Sequence, residues 1–401
     1  MIAGFRCAVC GASVDIASAC PWKCPNATRA DPYHALHLVD ERAPSEDLDD
    51  VNPFVRYGRR LAWWAFARAN GMSDSDCTAL TRAVAEGFTI TPFGRSEQLS
   101  AELAHDTWAK DETGNVAGSH KARHLVPIVL HLRASEELGL LPVRAPLAIA
   151  SCGNAAIAAA SLAQRVDWPI DVYVPTWMSA DIGQMLEHVG ARIHTCERRA
   201  ADPPGDPAML RFREAVASGA IPFTVQGPEN ALCLDGGRTL GWEMSEALPG
   251  GGPWRATVQV GGGALAACVG AGLGPSVRLD TVQAEGCAPL AAAWSRLAGR
   301  PHPERDWADV MRAWPDPHSL ADGILDDETY DWIADVDAMR ASGGQPIVAT
   351  EADIVRAHRL AIDAGFDVSA TGSAGLAGAL TVRHTLARDE RLIVVMSGVA
   401  R

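Results

Sequence analysis

The chain has 401 residues, 48% of them apolar, and a formal net charge of -14. That length and apolar content allow a large core divided over two or three domains, which excludes disorder as the default state. The acidic balance excludes phosphate backbones and anionic lipid surfaces as partners unless a local basic patch overrides it.

Met1 to Cys10 lack a basic start followed by an apolar run, so a cytoplasmic protein with reduced thiols is expected. Cys7, Cys10, Cys20 and Cys24 form C-x2-C and C-x3-C pairs. Two such pairs can give zinc four tetrahedral sulfur ligands and staple a segment too small for a core of its own; the bland alternative is ordinary thiols. Four cysteines leave no open position, which argues against a catalytic metal. Asp31 to Asp50 is polar, acidic and broken by proline, and reads as a linker.

Leu61 to Ala69, with Trp63, Trp64 and Phe66, predicts a helix with one bulky face, and Thr89 to Phe93 a short strand stopped by Pro92. The segment Asp111 to Lys121 is a small-residue loop leading into an apolar helix that begins near Leu125. A lysine at a helix start faces the positive end of the helix dipole, which favours a depressed pKa and a nucleophilic amine; a surface lysine is the bland reading.

Beyond residue 140, strand-length apolar runs alternate with Ala-rich helical segments. The strands read from it are Leu147 to Ala150, Ile170 to Val174, Arg192 to Thr195, Thr257 to Val260, Thr281 to Ala284 and Leu392 to Met396. Such alternation implies parallel sheets covered by helices, with ligands bound where strand ends meet loops. Ala256 to Val277 is uncharged for a membrane-spanning length, but its glycines, Pro275 and Gln259 argue against that reading. The stretch from His302 to Ser342 has weak periodicity and reads as irregular insertions near a site mouth or an interface.

Two further loops suit an anion. Ser151-Cys152-Gly153-Asn154 joins a strand to a helix start, where backbone N–H groups and the Ser151 hydroxyl can bind a carboxylate; alternatively Asn154 is a helix cap. Gly261-Gly262-Gly263-Ala264-Leu265 again lies between strand and helix and can point several N–H groups at one phosphate. It lacks the Gly-Lys-Ser/Thr ending of a nucleotide P-loop and the third glycine of a dinucleotide fingerprint.

The order of lysine loop, Ser-x-Gly-Asn loop, glycine loop and terminal Ser397-Gly398 resembles the tryptophan synthase β-like (fold type II) family. That family includes threonine synthases, serine/threonine dehydratases and cysteine synthases. Thr91-Pro92-Phe93 and Lys110-Asp111-Glu112 resemble its opening motifs, and the cysteine module with Asn52 to Tyr57 resembles the front end of threonine synthases. The resemblance implies two three-layer α/β/α domains with the cofactor, pyridoxal 5'-phosphate, in the cleft between them. The expected division is a cysteine module and linker over 1–50, a cofactor domain over 51–140 and 241–401, and a substrate domain over 141–240.

By the same resemblance Lys121 is the Schiff-base lysine and proton-transfer base, and Asn154 bonds the cofactor's phenolic oxygen. Gly261, Gly262, Gly263, Ala264 and Leu265 cradle the phosphate, Ser397 faces the pyridine nitrogen, and Ser119, Ser151, Cys152 and Gly153 hold the substrate carboxylate. His120 and Ala122 stand where threonine synthases and dehydratases carry Phe and Asp. His120 is read either as an acid/base or phosphate ligand, or as a packed, hydrogen-bonded side chain. The resemblance implies a homodimeric lyase that abstracts an amino acid's α-proton and eliminates a β-substituent, or else a threonine synthase-like or β-replacement enzyme. A non-catalytic, zinc-stapled binding protein on the same fold is the reading from another class.

Overall fold

The protein is described from a computed structural model, covering residues 2–28, 30–40, 46–141, 143–203 and 205–401. Three sheets organise these residues. The first is antiparallel, order β2-β1-β3, from β1 (Ile2–Cys7), β2 (Ser13–Asp15) and β3 (Leu36–Asp40). The expected linker therefore holds a strand: Leu36 pairs with Cys7 and Leu38 with Phe5, so its apolar alternation is used in a sheet. Residues 41–45 of that linker lie outside the described residues.

The second sheet contains β4 (Phe93–Arg95), β5 (Thr107–Asp111), β10 (Trp254–Gln259), β11 (Val277–Ala284), β12 (Pro346–Ala349) and β13 (Arg391–Met396). Its order is β12-β11-β10-β13-β5-β4, parallel except for the β4 edge. The third sheet contains β6 (Leu147–Ala150), β7 (Ile170–Pro175), β8 (Arg192–Cys196) and β9 (Ile221–Pro222). Its order is β8-β7-β6-β9, parallel throughout. Parallel strands need crossovers, and these supply the helices read from the sequence.

Both faces of the second sheet are covered, which the period-two pattern of β13 makes plain. Ile393 and Val395 enter one apolar cluster with residues of the Ala264–Leu273 and Trp332–Ser342 helices. Leu392, Val394 and Met396 enter another with residues of the Glu351–Asp363 and Ala370–Val382 helices. The small residues of the last helix permit close docking: a Cβ on Gly378 would lie 2.3 Å from Val282 Cγ2, and one on Gly375 2.6 Å from the Thr257 carbonyl. The uncharged stretch from Ala256 becomes β10, the glycine loop and the Ala264–Leu273 helix. Among the described residues no helix is long and apolar enough to cross a membrane.

Two expected elements shift. The strand expected at Thr89–Phe93 is β4 at Phe93–Arg95, because the Thr91 and Lys110 side chains are drawn into a buried polar network ahead of it. The helix expected near Leu125 starts at Lys121 and runs to Glu137 with Pro127 inside it. Pro127 cannot donate to the Arg123 carbonyl, and Gly236 packs against that gap: a Cβ there would stand 2.0 Å from the Arg123 carbonyl oxygen.

The network below this helix start joins four charges, all buried. Arg123 donates to Glu112 through Nε at 2.7 Å and Nη2 at 2.9 Å, and to Glu243 through Nη1 at 2.6 Å. Lys110 donates to the Thr91 carbonyl at 2.7 Å and pairs with Glu243, while Asn115 adds a 2.7 Å bond to Glu112. Burial alone would raise the Glu112 pKa, but Arg123 and then Lys110 outweigh it and hold the carboxyl below its ordinary value. Two cations balance two anions, so removing one leaves an uncompensated buried charge. Arg123→Ala is expected to cost about 3–5 kcal/mol in urea unfolding, whereas Arg56→Ala, which breaks the half-exposed pair with Glu246, is expected to cost less than about 1 kcal/mol.

Candidate active site

Lys121 is the first residue of its helix, reached from β5 by a loop that lies along the chain end after β13. Glu112 N–H donates to Met396 O at 2.9 Å, His120 N–H to Ser397 O at 3.0 Å, and Val399 N–H to Gly118 O at 3.0 Å. Ser119 and Gly398 form an isolated bridge. Burial lowers the Lys121 pKa against the opposing pull of Asp326, then Cys233 and Asp331.

The predicted residues gather unevenly around this lysine. Ser119 is buried and its Oγ has no partner among the described residues. Ser397, just past β13, accepts at Oγ from Gln259 Nε2 at 2.8 Å, so its hydroxyl hydrogen is free to be donated onward. A Cβ on Gly398 would lie 2.8 Å from Ser119 Cβ and 3.2 Å from Asn154 Nδ2, which places Asn154, from the other sheet, against the same loop. Asn154 is not the helix cap, which is Gly153; its Oδ1 accepts from Arg401 Nε at 2.5 Å. Ser151 and Cys152 lie in the loop after β6, where Ser151 Oγ accepts from Gly153 N–H at 3.4 Å.

Gly261 to Gly263 follow β10, and Ala264 and Leu265 open the next helix, with Gly263 capping it at φ +102°. The segment carrying Asp326, Asp331 and Asp335 covers this loop. A Cβ on Gly261 would lie 2.5 Å from Asp326 Oδ2 and one on Gly263 2.5 Å from Asp335 Oδ2, contacts that explain the glycines at these two positions. Burial raises all three carboxyls: Asp326 to about 6, Asp331 to about 7, and Asp335 well above the ordinary range. Asp331 accepts from Gly227 N–H at 3.1 Å.

Sequence reasoning passed over Gln259, Arg401 and these acids. The acids fall in the stretch read as irregular insertions, and their only local signal is an acidic run without amphipathic period. His120 is packed and bonded. Its Nδ1 lies 2.9 Å from the Ser397 carbonyl, which can only accept, so Nδ1 carries the hydrogen and the unpartnered Nε2 is an acceptor. Burial first, then the Lys121 charge, lowers its pKa well below that of ordinary histidine, so the ring is neutral.

The N-terminal cysteines come together in part. Cys7, Cys10 and Cys24 group with His34, their ligand atoms all within 4.8 Å of one another, and Cys20 stands exposed outside the group. His34 takes the fourth place because it lies just ahead of β3, which pairs with β1 at Cys7.

The sequence profile described as "Pyridoxal-phosphate dependent enzyme" matches residues 84–398. The chain belongs to this pyridoxal-phosphate-dependent enzyme family. It is 23% identical to a threonine synthase of Methanocaldococcus jannaschii over 323 residues, 77% of this chain and 74% of that one. A threonine synthase of Synechocystis sp. is 27% identical over 77% of this chain and 75% of its own. A serine dehydratase-like protein of Mus musculus is 30% identical over 48% of this chain and 54% of its own.

The threonine deaminase structure from T.th. shares the fold, with a TM-score of 0.62 at 23% identity over 82% of this chain and 98% of that one. Maize serine racemase does so at 0.62 and 19%, over 80% and 92%. A pyridoxal-phosphate-dependent enzyme of fold type II thus has its matched region start after the cysteine module.

The covering acids give this enzyme a specific pH response. Asp331 keeps its proton to about pH 7 when folded, whereas an exposed aspartate releases it near 4. Between those values the folded state binds more protons than the unfolded state, so stability falls as pH rises and levels off above 7. Asp331→Asn, measured by thermal unfolding of cofactor-free protein, is expected to stabilise by an amount that grows from pH 5 to pH 7 and then stays constant.

Proposed function

We propose that the chain is a pyridoxal-phosphate-dependent lyase that removes the α-proton of an amino acid and expels a β-substituent. The observation that carries this reading is a lysine of lowered pKa at a helix start, beside a buried serine hydroxyl with no partner. When bound, the cofactor supplies the electron sink for breaking bonds at the substrate's α-carbon. The orphaned Ser119 Oγ, the Ser397 hydroxyl with its hydrogen free and the Asn154 Nδ2 donor are polar groups suited to receive it.

In this reading Lys121 would hold the cofactor and serve as the base at the substrate's α-carbon, burial lowering its pKa and enlarging the neutral fraction near pH 7. Ser119 and the Ser151-Cys152-Gly153 loop hold the substrate carboxylate by hydroxyl and backbone N–H donors. Asn154 would donate an Nδ2 hydrogen to the cofactor's phenolic oxygen. Ser397 would present a neutral hydroxyl to the cofactor's pyridine nitrogen, a partner that favours elimination over transamination.

The Gly261 to Leu265 loop offers N–H groups to the phosphate. Asp326 shares that loop, and a second anion beside it would raise its pKa further and favour its protonated form.

The choice of reaction rests on charge. Burial first, then the charges of Asp206 and Asp322, raises the Cys152 thiol in the proposed carboxylate-binding loop, and such acidic surroundings disfavour a substrate bearing a second anion such as a phosphate ester. A neutral hydroxy amino acid or one with a cationic β-substituent fits better. The second reading, a threonine synthase-like or β-replacement enzyme, draws on the threonine synthase relatives that align over 77% of the chain. A cytoplasmic homodimer is the assembly proposed with either reading.

Wild-type protein incubated with the cofactor is expected to absorb at roughly 410–430 nm, the range of the cofactor's conjugated imine. Lys121→Ala should lose or shift that band. Among serine, threonine, O-phosphohomoserine and β-aryl serines, the lyase reading expects one hydroxy amino acid to move the band to shorter wavelength and release a 2-oxo acid. O-Phosphohomoserine doing so instead, with threonine as product, would select the second reading; no band at all would remove both.

A further inference from the structure

We infer that Cys7, Cys10, Cys24 and His34 form a structural zinc site, with Cys20 excluded, and that this site anchors the loop bracing the Lys121 helix. Zinc bound to thiolate at about 2.3 Å in a tetrahedron sets sulfur atoms roughly 3.8 Å apart. Here Cys10 Sγ lies 3.5 Å from Cys24 Sγ, Cys7 Sγ lies 3.4 Å from His34 Nδ1, and no pair among the four ligand atoms exceeds 4.8 Å.

The surroundings are those of a metal-thiolate site. Thiolates need donors, and backbone N–H groups of Cys10 and Asn26 point at Cys7 Sγ and Cys24 Sγ, at 3.5 and 3.4 Å. Asn26 Nδ2 lies 3.3 Å from Cys10 Sγ. His34 presents Nδ1 to the cluster and Nε2 to the Asp31 carboxylate at 3.4 Å, the carboxylate–imidazole arrangement that orients a metal-bound histidine. Three sulfurs and one imidazole leave no open position and match zinc in charge and geometry.

The loop between Cys10 and Cys24 reaches the body of the enzyme. His131, on the Lys121 helix, lies with Nε2 2.9 Å from Ala19 O and its ring edge-on to Trp22 at 5.4 Å. Ala231 N–H donates to Trp22 O at 3.0 Å and Lys23 pairs with Glu229, just ahead of Cys233, which faces Lys121. Asn70 Nδ2 holds Ala17 O at 3.2 Å. Closing the loop with a metal at Cys10 and Cys24 lowers its conformational freedom and so supports these contacts.

The test is metal content by mass spectrometry of full-length protein after zinc reconstitution and desalting. About one zinc per chain is expected for wild type and for Cys20→Ser, falling at least tenfold in Cys10→Ser and His34→Ala. His34→Cys, which restores a fourth thiolate, should retain the metal and guards against loss through misfolding. Cobalt substitution of wild type should give the visible spectrum of a tetrahedral site with three sulfurs and one nitrogen. Zinc-free wild type, equal loss from Cys20→Ser and Cys10→Ser, or an intact mass showing a Cys10–Cys24 disulfide would overturn the site. Chelation that leaves amide exchange over 16–24 and 229–235 unchanged would overturn its bracing role.

Discussion

Everything about the candidate site depends on how the start of the Lys121 helix is fixed, and Arg123 fixes it. The guanidinium is wholly buried and spends its donors on Glu112 after β5, Glu243 on the Arg238–Ala247 helix, Thr239 and Thr91. Those partners come from distant parts of the chain, so the network ties sheet, loop and helix to one point, two residues from Lys121. A planar fork with five donors can meet two carboxylates at once, which lysine could not do. Lys110 supplies the second positive charge and keeps the set neutral.

Above that neutral network the site itself is electrostatically biased. Lys121 is a buried amine among buried carboxyls, and the two histidines that flank it are held neutral. Burial first, and the lysine charge next, takes His124 down to about 4, while its Nδ1 meets the Cys233 carbonyl at 2.8 Å. Neutral imidazoles add no further positive charge beside the amine. The covering acids have raised pKa values because burial outweighs their hydrogen bonds. Burial brings the titration of Asp326 and Asp331 up to about 6 and about 7, beside the buried Lys121 amine.

Legibility differed by the range of the interaction. Strands such as Leu147–Ala150 and Leu392–Met396 were readable because apolar runs bounded by glycine or proline are local signals. The three small-residue loops were readable because glycine and other small residues between an apolar strand and a helix are local signals. The strand inside the supposed linker was not, since Leu36–Asp40 has too few residues to declare itself and is made a strand by pairing with β1. Asp326, Asp331 and Asp335 were hidden because their significance lies in facing a loop some sixty residues earlier, not in their spacing.

By itself the sequence determined the alternation of strands and helices, the position of the lysine between loop and helix, and the place of the glycine and serine loops between strand and helix. These follow from neighbours within a few residues. Only the tertiary structure decided that Gln259 orients Ser397, that Arg401 engages Asn154 and that His34 rather than Cys20 joins the thiol cluster. Each of these is a contact between segments brought together by sheet pairing or domain packing. Hydrogen-bond and ligand distances of a few ångströms carry no trace in the spacing of residues along the chain.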